Sequence, residues 1–303
     1  MEEKHKNRVI LWAILIAVSF MWGLSFIFSD YGLEHVSTVG VLAIRWTIAG
    51  LLFFILGITK VLKMNFKGKP KRALLVSALF QPCIYAILEL IGIGMTTTSE
   101  STLLIALAPT MVIIETALIK GEHHSWKVNA AIGICFLGIA TSILFAPNFE
   151  LGGRATGYLF LIAAVIVGAY FTIRVQDAYV DYTTMEVTAC MSVCGGIWFN
   201  VLSIINGNFI EDWTAFFTHT ESLWSIGFLG ICCSFLCYWG YNEVLSRLPQ
   251  GIAVAFQNSG VTIVGVSSGI ILAGDPFGWF TIVGLLLIIG GVCIISIERQ
   301  KEM

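Results

Sequence analysis

Charge is scarce in this sequence. Charged residues make up only 12% of its 303 positions, about half the share in a soluble globular chain. With 57% hydrophobic residues and a mean hydropathy of +0.87, too little charge remains to coat a water-facing surface, which marks an integral membrane protein. Long loops are lacking too: the widest gaps between apolar runs, 59–71 and 207–221, leave no room for a soluble signalling or catalytic domain. Cysteine is missing from the loops. All eight, at 83, 135, 190, 194, 232, 233, 237 and 293, fall in apolar stretches, which argues against a framework of oxidised staples. The i, i+4 pairs Cys190/Cys194 and Cys233/Cys237 share helical faces, but no His completes a soft-metal set, so they read as polarizable packing residues. His123 and His124 beside Glu122 likewise fall short of a ligand set. No metal and no cofactor is expected. The net charge is −2 and the basic residues form no single exposed stripe, so no nucleic-acid partner is expected. No small-residue cleavage site follows the charged start MEEKHKNR and the apolar run from Val9, and that run reads as a retained spanning helix.

What is present is a series of apolar runs, each near the ~20 residues that span a bilayer as helix. They lie at 9–29, 37–58, 72–93, 98–119, 127–146, 155–174, 184–206, 222–242, 250–272 and 276–297. Of the 17 Lys and Arg, all but Arg45 and Arg154 fall on the side that holds the N-terminus, so both termini are expected in the cytoplasm and the protein in the cell membrane. The halves repeat. Leu15-Ile16-Ala17 recurs as Leu161-Ile162-Ala163, Ser37-Thr38 as Thr183-Thr184, Gly50 as Gly196 and Phe53 as Phe199. With a length change between the two widest gaps, Tyr85 then matches Tyr238, Gly121 Gly274, Trp126 Trp279 and Gly138 Gly291. Five spans per half is an odd number, so the second half enters the membrane upside down. The fold class is therefore an all-α membrane protein of ten transmembrane helices in two inverted five-helix repeats, 1–147 and 148–303. Such repeats carry a site at their interface in secondary transporters.

The stretches FMWGLSFIF (20–28), VSTVGVLAIRWTIAGLL (36–52), LAPTMVIIETALIKGE (107–122) and CYWGYNEVLSRLPQGIAVAF (237–256) resemble the drug/metabolite transporter superfamily, and within it the ten-helix type with two EamA domains. The resemblance covers nearly the whole chain. It implies a carrier of small metabolites, commonly amino acids, proton-coupled or facilitative. Its cavity would be lined by helices 1, 3, 4, 6, 8 and 9, with helices 5 and 10 as scaffold. This chain departs from the usual pattern at Glu89 and Glu100, and in carrying Thr262 where Pro109 stands in the first half.

Ionisable groups inside a membrane are costly and point to a site. Gln81, Tyr85 and Glu89 are spaced by four and share one helical face. Glu89 and Glu100 lie at similar distances from the tip of the hairpin between helices 3 and 4, where they could face each other. Three readings stand: a proton- or cation-binding pair at the cavity mouth, an ion pair with Arg45, or snorkelling to the surface. In the second half the matching face, Tyr238 and Asn242, is polar but uncharged. Trp22, Tyr170, Gln257 and Asn258 are expected to point inward with them, since polar groups facing lipid go unsatisfied. The small residues Ala131/Gly138 and Gly284/Gly291 suit close packing of helices 5 and 10, or a dimer contact, leaving monomer and homodimer both open.

A membrane enzyme would need a nucleophile or metal cluster beside the carboxylates, and no H-E-x-x-H occurs. A receptor would normally add a soluble domain. The expectation is a transporter, not an enzyme: export of an amino acid or organic cation by alternating access, coupled to protons, with a facilitative carrier holding a Glu89/Glu100–Arg45 ion pair as the alternative. Its partners are a small-molecule substrate and lipid. The charge asymmetry predicts that a fluorescent protein fused after Met303 lights up and that alkaline phosphatase at the same point stays inactive. The reverse pattern would overturn the assigned orientation.

Overall fold

The computed structural model describes residues 2–121, 124–146, 155–245, 247–248 and 250–302. Among the described residues, ten helices are long and apolar enough to cross a membrane: α1 (Val9–Leu33), α2 (Thr38–Ile58), α3 (Lys71–Ile93), α4 (Thr98–Ile119), α5 (Trp126–Leu144), α6 (Ala155–Tyr179), α7 (Thr184–Ile205), α8 (Thr220–Leu245), α9 (Ala253–Ala273) and α10 (Trp279–Glu298). Among the described residues there is no strand. A further short helix, Phe209–Thr218, joins α7 to α8. It buries Asp212 and Phe216 and exposes Ile210 and Phe217. The ten spans fall where hydropathy placed them, with α6 running further than its apolar run, to Tyr179. An Arg174–Asp177 ion pair of 3.1 Å, one turn apart, supports that extra length.

Helix starts explain one of the repeats. Ser37 and Thr183, matched in the two halves, are the N-caps of α2 and α7, and each accepts a bond from a backbone N–H in the first turn. Capping satisfies donors that a helix end otherwise leaves open. At α7 the cap is reciprocal, because Glu186 reaches back to the Thr183 N–H at 2.9 Å. The same carboxylate takes the Asn65 N–H at 2.6 Å and the Lys69 ammonium at 3.1 Å. It thereby fastens the 59–70 loop to the start of α7.

Packing follows the two-fold logic of the repeats. The most extensive helix pairs are α5 with α10 and α2 with α7, each pairing a helix with its own repeat mate. Between them α1 packs on α8 and α9, while its mate α6 packs on α3 and α4. Small residues set the approach distances. A Cβ on Gly50 would lie 3.3 Å from the Ser192 carbonyl, and one on Gly196 3.3 Å from the Trp46 carbonyl. On the other axis Gly138 and Gly284 face each other, and Gly291 lies against Cys135 and the Ala131 carbonyl. The small faces of α5 and α10 are thus used inside the chain.

Four of the described spanning helices are irregular. α3 leaves helical geometry at Gln81 (φ −137°, ψ 120°) and runs as wide π turns over Leu79–Ile84, where Pro82 lacks an N–H to donate. α8 carries the corresponding π stretch at Leu229–Leu236. α4 breaks into Thr98–Ile105 and Ala108–Lys120, with Pro109 in the first turn of the second piece. In α9, where Thr262 replaces that proline, the helix continues unbroken from Gln250 to Ser268 and widens into π turns only at its end, Gly269–Ala273.

Gly284→Leu forces a side chain into the Gly138 carbonyl and Ser142. Overpacking of this kind costs about 1–3 kcal/mol, so the variant should melt several degrees lower in detergent. Gly290→Ala, on the same helix with nothing within 4 Å of the added carbon, should melt as the parent does. Equal melting of all three proteins would contradict the α5–α10 contact.

Candidate functional site

The irregular helices border one polar cavity of about 190 Å³. α1 contributes Trp22 and Ser25, α2 Arg45 and Trp46, and α3 Gln81, Tyr85 and Glu89. The break in α4 contributes Thr102, Ile105 and Ala108, α8 contributes Tyr238, and α9 contributes Gln257 and Asn258. Breaking a helix frees backbone groups and re-aims side chains, which is tolerated at membrane depth only beside a cavity or buried protein.

The cavity holds one acid and one base. Glu89 accepts a hydrogen bond from the Tyr85 hydroxyl at 2.7 Å. Arg45 donates from Nε to the Ser234 hydroxyl at 2.7 Å and lays its guanidinium 5.6 Å from the centre of the Trp46 ring. Among the described residues no ion pair within 4.0 Å joins Arg45 to Glu89. The repeat-mated tyrosines are both engaged, since Gln81 Nε2 donates to the Tyr238 hydroxyl at 3.1 Å. Trp22 donates from Nε1 to the Cys233 carbonyl at 3.1 Å. Its ring meets those of Tyr238 and Tyr241 edge-on, with centroids 5.4 and 5.3 Å away. These contacts fix the rings of Trp22 and Tyr238, which border the cavity. Trp46 Nε1 is buried and has no hydrogen-bond partner among the described residues.

A larger crevice of about 490 Å³ lies between α2, α3 and α7. Its walls, including Phe53, Phe54, Ile58 and Val193, are nearly all apolar, and Phe54 and Ile58 are exposed on the outside of the bundle. It offers grease, whereas the central cavity offers chemistry.

The model of the EamA-like transporter family matches residues 7–144 and again 155–297. The chain belongs to that family. Relatives cover nearly all of the chain: an uncharacterized transporter of Bacillus subtilis, YcxC, is 22% identical over 99% of this chain and 96% of its own. An uncharacterized transporter of Archaeoglobus fulgidus is 24% identical over 95% and 99%. A protein named a probable terminal-alkyne amino-acid exporter, from Streptantibioticus cattleyicolor, is 25% identical over 96% of each. One crystal structure matches with a TM-score of 0.67 at 13% identity, over 97% of this chain and 99% of the other. At that identity it speaks for the fold alone. A multi-pass membrane transporter of EamA type, with two inverted five-helix repeats, is thereby established.

Within this EamA fold several expected site residues stand elsewhere. Glu100 does not border the cavity. It occupies the third position of α4, where a carboxylate turns back onto its own helix start. It accepts the Thr97 N–H at 3.0 Å and the Tyr158 hydroxyl at 2.9 Å, so the carboxylates of Glu89 and Glu100 take different neighbours rather than forming a facing pair. Tyr170 packs its ring on Phe80, centroids 4.8 Å apart, and α6 does not reach the cavity. Tyr85 stands in between, against Gly168, and α2 supplies the remaining wall. Asn242 donates to Met185 Sδ at 3.5 Å, spending its polarity on α7. Arg45 is tied to Ser234 instead of a carboxylate.

Trp46, Ser234 and Thr102 were not anticipated. The signal for Ser234 was its register, since it occupies the place in α8 that Gln81 holds in α3. A G-x-S-x-G string at 265–269 also has a structural explanation. It lies in the α9 region with Gly265 against Thr102 and Gly269 against Ser99 and Asp275, and forms no strand-to-helix elbow of the kind a serine hydrolase uses.

The two carboxylates should separate experimentally. Glu100→Ala removes the cap and the Tyr158 contact and should cost about 1–2 kcal/mol of stability, read as a lowered melting temperature. Glu89→Gln keeps a bond to Tyr85 and should melt within a degree or two of the parent. The opposite ranking would reverse the roles assigned to them.

Proposed function

We propose that this EamA protein exports a small amino acid across the cell membrane by alternating access, exchanging it for inward protons. The observation that carries this reading is one carboxylate and one guanidinium in the same cavity, without an ion pair between them. An α-amino acid presents the complementary charges: its ammonium suits Glu89 and the aromatic faces of Trp22 and Tyr238, and its carboxylate suits Arg45. A simple organic cation would leave Arg45 uncompensated, and a multiply anionic solute would find one base for several charges. A volume of about 190 Å³ suits a small solute. The relative named as a probable amino-acid exporter adds weight to that substrate class.

Glu89 is the proton carrier in this scheme. Releasing the ammonium leaves a carboxylate in a poorly solvated cavity, and taking up a proton removes that cost. Gln257 and Asn258 border the same space and hold the substrate's polar edges. The repeats 1–147 and 148–303 are the two bodies that exchange conformations around it, with both termini in the cytoplasm. The mutual burial of the small faces of α5 and α10 favours a monomer as the working unit. Nothing in this scheme calls for catalysis.

Internal pH of proteoliposomes, followed as a panel of amino acids and matched amines is added outside, tests the scheme. Substrate-dependent proton movement is expected for neutral amino acids and should vanish in Glu89→Gln. Arg45→Gln should weaken amino-acid transport about tenfold or more while sparing amines lacking a carboxylate, one charged contact being worth 1.4 kcal/mol or more. Tracer uptake with no proton signal would make the carrier facilitative. No uptake of any amino acid would overturn the substrate class.

A further inference from the structure

At the end of the bundle where α1 turns into α2, the fold assembles a group of metal-ligating side chains. Glu34 and His35 lie in the short connection after α1, and Glu221 in the first turn of α8. One ligand atom from each lies within 4.8 Å of the other two. His35 Nε2 is 3.0 Å from Glu221 Oε2, and the His219 ring stacks on the His35 ring with centroids 4.1 Å apart and planes 13° from parallel.

We infer that Glu34, His35 and Glu221 form a binding site for a borderline divalent cation, with Zn²⁺ as its natural probe. The donor set is one imidazole nitrogen and two carboxylates, which is three-quarters of a tetrahedral zinc shell with water in the fourth place. Hard cations such as Mg²⁺ prefer all-oxygen sets. Tetrahedral ligands at zinc bond lengths stand about 3.4 Å apart, so exposed side chains need only close in slightly. A His35–Glu221 ion pair would account for two of these groups, but it leaves Glu34 as a second carboxylate beside one imidazole. A divalent ion neutralises both.

The backbone beneath the group is fixed, which separates it from a chance surface cluster. Val36 is buried in a cluster with Phe216 and Ile226. Ser37 donates its N–H and its hydroxyl to the buried Asp212, each at 2.9 Å, and Ser203 donates to the same carboxylate at 3.0 Å. His219 is the single-residue joint between the short helix and α8, with extended φ/ψ of −98° and 117°. Its ring covers one face of His35. The ligands come from both repeats, so a bound ion clamps the α1–α2 connection of the first to α8 of the second.

The test uses full-length, tag-free protein in detergent, stripped with chelator and titrated with Zn²⁺ by calorimetry. One equivalent should bind, Mg²⁺ should not compete, and Zn²⁺ should raise the melting temperature by linkage. His35→Ala and Glu221→Gln should each weaken binding about tenfold or more, as loss of a metal contact does, and abolish the thermal shift. Both should melt like the parent without zinc. His124→Ala should bind as the parent does. Absence of binding to the parent, or binding unchanged in both His35→Ala and Glu221→Gln, would overturn the site.

Discussion

The cost of an unpaired backbone amide in hydrocarbon governs this molecule. It forces the chain into helices that satisfy their own hydrogen bonds. It also makes any departure from helix expensive unless protein or a cavity receives the freed groups. Two of the departures, at Gln81–Pro82 in α3 and at Leu229–Leu236 in α8, occupy matched places in the repeats. The third, at Ala106–Leu107 in α4, stands before Pro109. Residues in or next to all three border or hold the central cavity. A fourth departure, the π end of α9 at Gly269–Ala273, lies away from the cavity, with Gly269 against Ser99 and Asp275.

A second constraint is the close approach of mated helices. α2 with α7 and α5 with α10 meet through glycine, so their backbones come near enough for dispersion and weak polar contacts to hold them without a hydrophobic drive. Beside those two crossings, α1 packs on α8 and α9, and α6 on α3 and α4. The pseudo-symmetry is kept in packing and broken in chemistry. Tyr85 and Tyr238 match, but Glu89 faces the cavity while its counterpart Asn242 is drawn to Met185. Arg45 has no basic mate, and Pro109 is answered by Thr262 in an unbroken helix. The result is an asymmetric polar site inside a symmetric frame.

The fold was largely legible in the sequence because its signals are one-dimensional. Apolar runs fix the spans, and the recurrence of Ser37, Gly50 and Phe53 as Thr183, Gly196 and Phe199 reports shared caps and crossings. The site was legible in part. Helical spacing put Tyr85 and Glu89 on one face, and the polarity of Trp22, Tyr238, Gln257 and Asn258 marked them for the interior. Spacing could not distinguish Glu100 from Glu89, because the distance of Glu100 from the hairpin tip resembles a cavity depth, while its place in the first turn of α4 makes it a cap. Tyr170 and Asn242 were polar and inward, but inward has several destinations in a ten-helix bundle.

The sequence by itself determined the solvent, the number of spans, the inverted repeat and the presence of stranded charge in the membrane. These follow from hydropathy, parity and cost, which are properties of residues in order along a chain. Only the tertiary structure decided which charges meet. Arg45 and Ser234, Gln81 and Tyr238, and the Glu34-His35 pair and Glu221 lie far apart in the chain. Their distances are set by how helices cross, and no local pattern records that.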